Sequence, residues 1–183
     1  MKKWLIIYTS NTNNTKKIAE AMASVAGEGS MMLSSKEVIS VDDYDIIAIG
    51  FWVTRGGPDP VTQSLLPKIK NKQVILFQTL GADPKSEHAV TSLAKAAYLL
   101  GENCSILGTF SAQGKINPAL LDKRKNLAPD NPHAHSEENM RRWARAANHP
   151  NEEDLENAKE FVRKIERKIK MREKFIMAKK NFQ

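Results

Sequence analysis

Four short apolar runs constrain this chain more than any other feature: Trp4–Tyr8, Asp45–Gly50, Gln73–Gln78 and Ser105–Phe110. Each has the length of a strand, and their apolar residues are largely consecutive rather than alternate. A strand that is apolar toward both sides must be buried on both faces, as in a parallel sheet covered by helices. Helical patterns lie between the runs. Thr15–Ala26 puts Ile18, Met22 and Val25 on one face, and Lys85–Leu100 does so with Ala89, Leu93, Ala96 and Leu100. Met31–Leu33 reads as a weaker strand, Ser40–Tyr44 as a polar turn and Phe51–Pro60 as a Gly- and Pro-rich loop. Val61–Ile69 contains a short helix ended near Pro67. The alternation predicts an α/β fold of βα units with right-handed crossovers. Ligands of such sheets bind beyond the strand C-termini, where strand order reverses. That singles out Thr9–Thr15, Phe51–Asp59, Thr79–His88 and Ser111–Lys115.

The rhythm breaks at Ala112–His149, which holds several prolines, the charged run Asp122–Lys125 and a short helical candidate, Glu137–Ala147. A structureless connection of that length is uncommon, so the segment is either partly folded or a functional flap. Three acids, Glu152, Glu153 and Asp154, then open a terminal helix at its favourable end. Leu155, Ala158, Val162, Ile165 and Ile169 line one face of it, and beyond Lys170 the pattern loosens. The expected organisation is one domain over residues 1–170 and a basic extension over 171–183.

Charge belongs to that end. The 183 residues carry 28 basic and 21 acidic side chains, a net +7. Residues 163–183 hold nine basic and two acidic ones, so the remainder is balanced. The body therefore lacks the footprint of a nucleic-acid binder. Ile169, Phe175, Ile176 and Phe182 among the lysines would permit contact with a membrane surface or a partner, and the plainest reading of the tail is a solvated helix. Cys104 stands alone, which excludes a disulfide framework and a multi-cysteine metal site; a buried, small-hydrophobe role is expected for it. His133-x-His135 lacks an obvious third metal ligand. The apolar run at Trp4–Tyr8 is too short for a signal peptide or a membrane span, so a soluble cytoplasmic protein is expected.

The first loop carries the sharpest chemical signal. Ser10, Thr12, Asn14 and Thr15 follow a strand and lead into a helix, whose free N–H groups attract an anion. The loop has neither a G-x-x-x-x-G-K-[ST] nor a G-x-G-x-x-G pattern, which suits one phosphate better than a triphosphate with its metal. Short polar residues are also ordinary helix caps, so the loop alone leaves both readings open.

Thr9-Ser10-Asn11-Thr12-Asn13-Asn14-Thr15 resembles the FMN-phosphate loop of flavodoxins, S/T-x-T-G-N-T after a first strand. Asn13 stands where the glycine is usual, a mild departure because asparagine tolerates positive φ. The likeness continues through Gly50-Phe51-Trp52-Val53, Thr79-Leu80-Gly81, Ser86–Ala89, Gln113–Ile116 and His149–Leu155, reaching about residue 165. Together these resemble a flavodoxin subfamily of anaerobic and gut bacteria. The resemblance implies a flavodoxin-like, doubly wound, five-stranded parallel sheet in three α/β/α layers, with an extended segment before the C-terminal helix.

It also implies FMN as cofactor and a role for each loop. Residues Thr9–Thr15 would hold the phosphate. Within Phe51, Trp52 and Val53, Trp52 would stack on the flavin ring, and Gly56 or Gly57 would let a peptide carbonyl turn toward flavin N5. Thr79, Leu80 and Gly81 would line the pyrimidine side. The tyrosine usual in the third loop is absent, so the second ring face is either open or covered by residues 112–149. Arg55 would attract a negatively charged partner or substrate, or pair with Asp59, and His88 reads as a helix–loop contact.

No acid–base pair or nucleophilic triad stands out. The first functional expectation is an electron carrier between a reductase or ferredoxin and a reductive enzyme. The alternative is an FMN-dependent NAD(P)H oxidoreductase acting directly on a quinone or another small conjugated molecule. A flavin-free binding module is a third reading, against which the intact hydroxyl loop argues.

Overall fold

The computed structural model describes residues 2–180; Phe182 of the expected tail lies outside them. β1 (Trp4–Tyr8) pairs in parallel with β2 (Met31–Ser34) on one side and with β3 (Ile46–Thr54) on the other. β5 (Gln73–Leu80) joins β3, and β6 (Ser105–Gln113) joins β5, giving the order β2-β1-β3-β5-β6. This is the doubly wound five-stranded sheet that the sequence implies. Its order reverses between β1 and β3, which puts a crevice at their C-terminal ends.

Helices cover both faces, which is why the inner strands β1, β3 and β5 are apolar and buried over most of their length. Trp4, Ile6, Ile46, Ala48, Ile75 and Phe77 meet α1 (Asn14–Ala23) and α6 (Glu152–Lys180) on one face. Leu5, Ile7, Ile47, Ile49, Phe51 and Leu76 meet the other face's cover, which includes α3 (Glu87–Tyr98) and Leu66, just after α2 (Pro60–Leu65). Two further helices, α4 (Pro118–Arg124) and α5 (Glu137–Ala146), show that residues 112–149 are partly folded.

One expectation is corrected. Phe51–Pro60 is not a loop, because β3 runs on to Thr54 and folds back on β4 (Gly57–Pro58), pairing Val53 with Pro58 and Thr54 with Gly57. The turn residues Arg55 and Gly56 have φ of 50° and 72°, the pair of positive values that defines a type I′ hairpin. Glycine and proline, which read as loop signals, here make a tight turn and an edge strand. The terminal helix continues to Lys180 as the solvated helix expected of the tail: its inward stripe ends at Ile169 and residues 170–179 are all exposed.

That continuation has a direction. α6 starts beside the strand C-termini and runs back along the sheet, so that Glu166, Ile169 and Glu173 lie beside Lys2 and Trp4 at the start of β1. The basic stretch therefore leaves the body at the end of the sheet opposite the crevice.

Gly50 shows how tightly the crevice floor is packed. A Cβ there would lie 2.1 Å from Cζ of Phe77. Gly50→Ala is expected to cost about 3 kcal/mol, at the upper end of ordinary overpacking, read as a lower urea midpoint.

Candidate functional site

Loops after β1, β3, β5 and β6 leave the C-terminal edge of the sheet, and polar side chains tie these four together. Thr9 is buried at the end of β1, and its N–H donates to the Gly50 carbonyl (2.9 Å). Its hydroxyl donates to the buried carboxylate of Asp59. Asp59 also accepts from the N–H groups of Val61 (3.0 Å) and Thr62 (3.1 Å) and from the Thr62 hydroxyl (2.8 Å). A buried carboxylate needs such donors, and the N-terminus of α2 supplies two of them. Asp59 therefore does not play the part of an ion-pair partner for Arg55. It caps a helix and pins the first loop to the second.

A second tie joins the first loop to the third. The hydroxyls of Thr15 and Thr79, both buried, lie 2.8 Å apart. A third tie runs from Asn14 Nδ2 to the Lys115 carbonyl (2.9 Å), with Thr12 Oγ1 as its other acceptor (3.0 Å). Backbone closeness reinforces these ties: a Cβ on Gly114 would meet Asn14 at 2.7 Å, and one on Gly81 would meet Ile116 at 2.6 Å.

Two features of the first loop lie outside this bonded frame. Asn13, with φ of 62°, opens α1 without a side-chain cap, and no acid lies in that helix's first turn. Ser10 Oγ is buried yet has no hydrogen-bond partner among the described residues. An orphaned buried hydroxyl costs about 1–3 kcal/mol, and an acceptor docking against it removes that cost. A helix N-terminus without a side-chain cap keeps N–H groups that favour an anion.

The expected residues thus divide by role. The side chains of Thr9, Asn14 and Thr15 brace the loops, the Thr12 hydroxyl accepts from Asn14, and the Ser10 hydroxyl makes no hydrogen bond among the described residues. Phe51 is fully buried and Val53 packs beside it in the core beneath α3. Trp52, on the opposite side of β3 by strand alternation, is half-buried and in register with Thr79 at the end of the ladder. Thr79 and Leu80 are buried and Gly81 half-buried. Gly56 and Gly57 shape the hairpin tip and its return strand.

The remaining residues find other tasks. His88 lies against the hairpin, its Cε1 3.7 Å from the place of a Gly56 Cβ, as a helix–loop contact should. Cys104 is half-buried rather than buried, with its thiol donating to the Ile69 carbonyl (3.2 Å). His135 packs on Trp143 with ring centroids 5.9 Å apart, and Arg124 lies over the same indole at 5.7 Å. The Asp59–Thr62 brace escaped sequence reading. Its signal is the Asp-Pro at a helix start, a capping pattern with no visible link to Thr9.

The family model for the flavodoxin domain matches residues 5–163. The chain belongs to the flavodoxin family. Its relative in Clostridioides difficile (strain CD3), the flavodoxin-like domain-containing protein BilS, is 32% identical over 170 residues, covering 89% of this chain and 96% of that one. BilS of Clostridium symbiosum (strain WAL-14163) is 28% identical over 147 residues, covering 71% and 77%. Among solved structures, a flavoprotein in complex with FMN from Lactobacillus acidophilus NCFM superposes with a TM-score of 0.51 at 21% identity, covering 67% of this chain and 98% of that one. Oxidised flavodoxin 2 from Bacillus cereus gives 0.50 at 20% identity, covering 91% and 99%. The flavodoxin fold generally serves FMN binding and electron transfer with redox partners. No described helix is long and apolar enough to cross a membrane.

Two predictions follow from the braces and the partly folded segment. Thr15→Val leaves Thr79 without its partner and should lower stability by about 1–3 kcal/mol in urea unfolding. The pKa of His133 lies below its ordinary 6.5, first because of burial and then because Arg124, Arg142 and His88 repel its charged form. Folding thus favours neutral His133, so its contribution is full above pH 6.5 and is lost as the pH falls through the lower folded-state value. Hydrogen-exchange protection over residues 131–146 should fall with acidification, and His133→Gln should reduce that fall.

Proposed function

We propose that this protein binds FMN at the C-terminal edge of its sheet and passes electrons from a reductase or ferredoxin to a reductive enzyme. The unpartnered Ser10 hydroxyl beside the uncapped N-terminus of α1 is the observation that carries this reading. The FMN phosphate would take its hydrogen bonds from Ser10, Thr12 and the N–H groups of Asn11–Thr15. Trp52 would offer its indole to the ring, the hairpin at Gly56 and Gly57 its peptide groups, and Thr79, Leu80 and Gly81 the pyrimidine edge. When bound, FMN supplies one- and two-electron redox chemistry.

The chain's own contribution is position and polarity. The braces through Asp59, Thr79 and Lys115 fix the first loop to those after β3, β5 and β6 before the cofactor arrives, which reduces the ordering cost of binding. Uncharged donors and a helix terminus receive the phosphate, which fits a body whose basic and acidic side chains balance. The basic end of α6 lies away from this edge, so a partner reaching the loops would not meet it there.

Direct reduction of a quinone or other conjugated molecule with NAD(P)H is the second reading. The third loop, Thr79–Ser86, has no aromatic residue, which would leave room for a substrate over the ring. NAD(P)H oxidation with a small acceptor and no partner protein would favour it.

Fluorescence titration tests the phosphate site. FMN should bind saturably, and Ser10→Ala should weaken it by about tenfold or more, the worth of a hydrogen bond to a charged group. Riboflavin, which lacks the phosphate, should bind the wild type and the variant equally. Absence of saturable FMN binding, or an equal loss with riboflavin, would contradict the assignment.

A further inference from the structure

A cleft of about 510 Å³ opens on the outer side of the hairpin, between β4, α2 and α3. Its lining includes Arg55, Pro58, Gln63, Lys95 and Tyr98, and no acidic side chain. Lys95 lies along the hairpin, its Nζ 3.4 Å from the place of a Gly56 Cβ and its Cδ 3.5 Å from that of Gly57. Arg55 stands next to Gly56 at the turn. Neither cation forms an ion pair among the described residues. Tyr98 is 90% exposed at the end of α3.

The backbone at Arg55 makes this cluster more than a surface accident. Its φ of 50° falls in the left-handed region, where an L side chain is disfavoured. The first central residue of a type I′ hairpin is ordinarily Asn, Asp or Gly. Arg55 is exposed, so no burial of its side chain offsets the strain. A strained, exposed cation at the mouth of a cleft, beside a second unpaired cation, points to a use for the guanidinium itself.

We propose that this cleft binds a small aromatic carboxylate. Arg55 offers a planar fork matched to a carboxylate, and Lys95 adds a second positive charge across the same turn. Tyr98 and Pro58 supply flat, largely apolar walls for a ring. The volume lies within the range of about 300–1,000 Å³ usual for small-ligand sites. The site shares its hairpin with the proposed flavin loops but lies on the hairpin's outer side, and it needs no flavin to form.

The test uses 2-naphthoate as the probe and the full chain, with and without FMN, by calorimetric titration. Saturable binding at one site is expected in both conditions. The neutral analogue 2-naphthamide should bind about tenfold more weakly or worse, and Arg55→Ala and Lys95→Ala should each weaken naphthoate binding by about tenfold, the worth of a charge-assisted contact. Arg55→Asn adds a readout that a purely structural arginine would not give: a higher midpoint of thermal unfolding together with weaker naphthoate binding. The proposal is overturned by unsaturable binding, by equal affinity for the amide, by unchanged binding in the variants, or by displacement of naphthoate with FMN. The FMN-free arm keeps its failure separate from a failure of the flavin reading.

Discussion

The buried carboxylate of Asp59 is the point on which the functional edge depends. It receives the hydroxyls of Thr9 and Thr62 and two N–H groups of α2, so one side chain ends β1, starts a helix and fixes the hairpin's return. Loops beyond a parallel sheet cannot be held by the sheet's own ladder. Here hydrogen bonds between side chains take over, with Thr15–Thr79 and Asn14–Lys115 extending the same frame to the loops after β5 and β6. A frame satisfied within itself leaves the unpartnered groups conspicuous, and in the first loop the Ser10 hydroxyl is the one left over.

Much of the fold was legible because burial on both faces leaves a clear mark. Leu5, Ile6 and Ile7 face alternate covers, and so do Ile46 to Ile49 and Val74 to Phe77, so consecutive apolar residues announced the sheet. The hairpin was not legible. Gly56, Gly57 and Pro58 carry the composition of a loop, and an arginine at positive φ gives no sequence signal of a type I′ turn. The end of α6 was legible as a solvated helix: its inward stripe stops at Ile169, while strong helix formers carry the helix on without packing.

Within the candidate site, residue type marked the place but not the role. Ser10 and Thr15 read alike in sequence as hydroxyl donors, yet among the described residues Thr15 is committed to Thr79 and Ser10 to no partner. Only the folded chain brings the partner of Thr15 from sixty-four positions away. The net +7 divides in a comparable way. Its bulk sits on an exposed helix end far from the crevice, while Arg55, one of the balanced body's cations, stands at the hairpin next to the loops. The charge that matters near the site is therefore local.

The central claim is that one cofactor meets three loops braced as a unit. Amide chemical-shift mapping of the isotope-labelled chain during an FMN titration tests it most directly. The account predicts saturable shifts concentrated in Thr9–Thr15, in Trp52 to Gly57 and in Thr79–Gly81, all following one binding curve. Shifts confined to another surface, or loops that titrate with different midpoints, would contradict it.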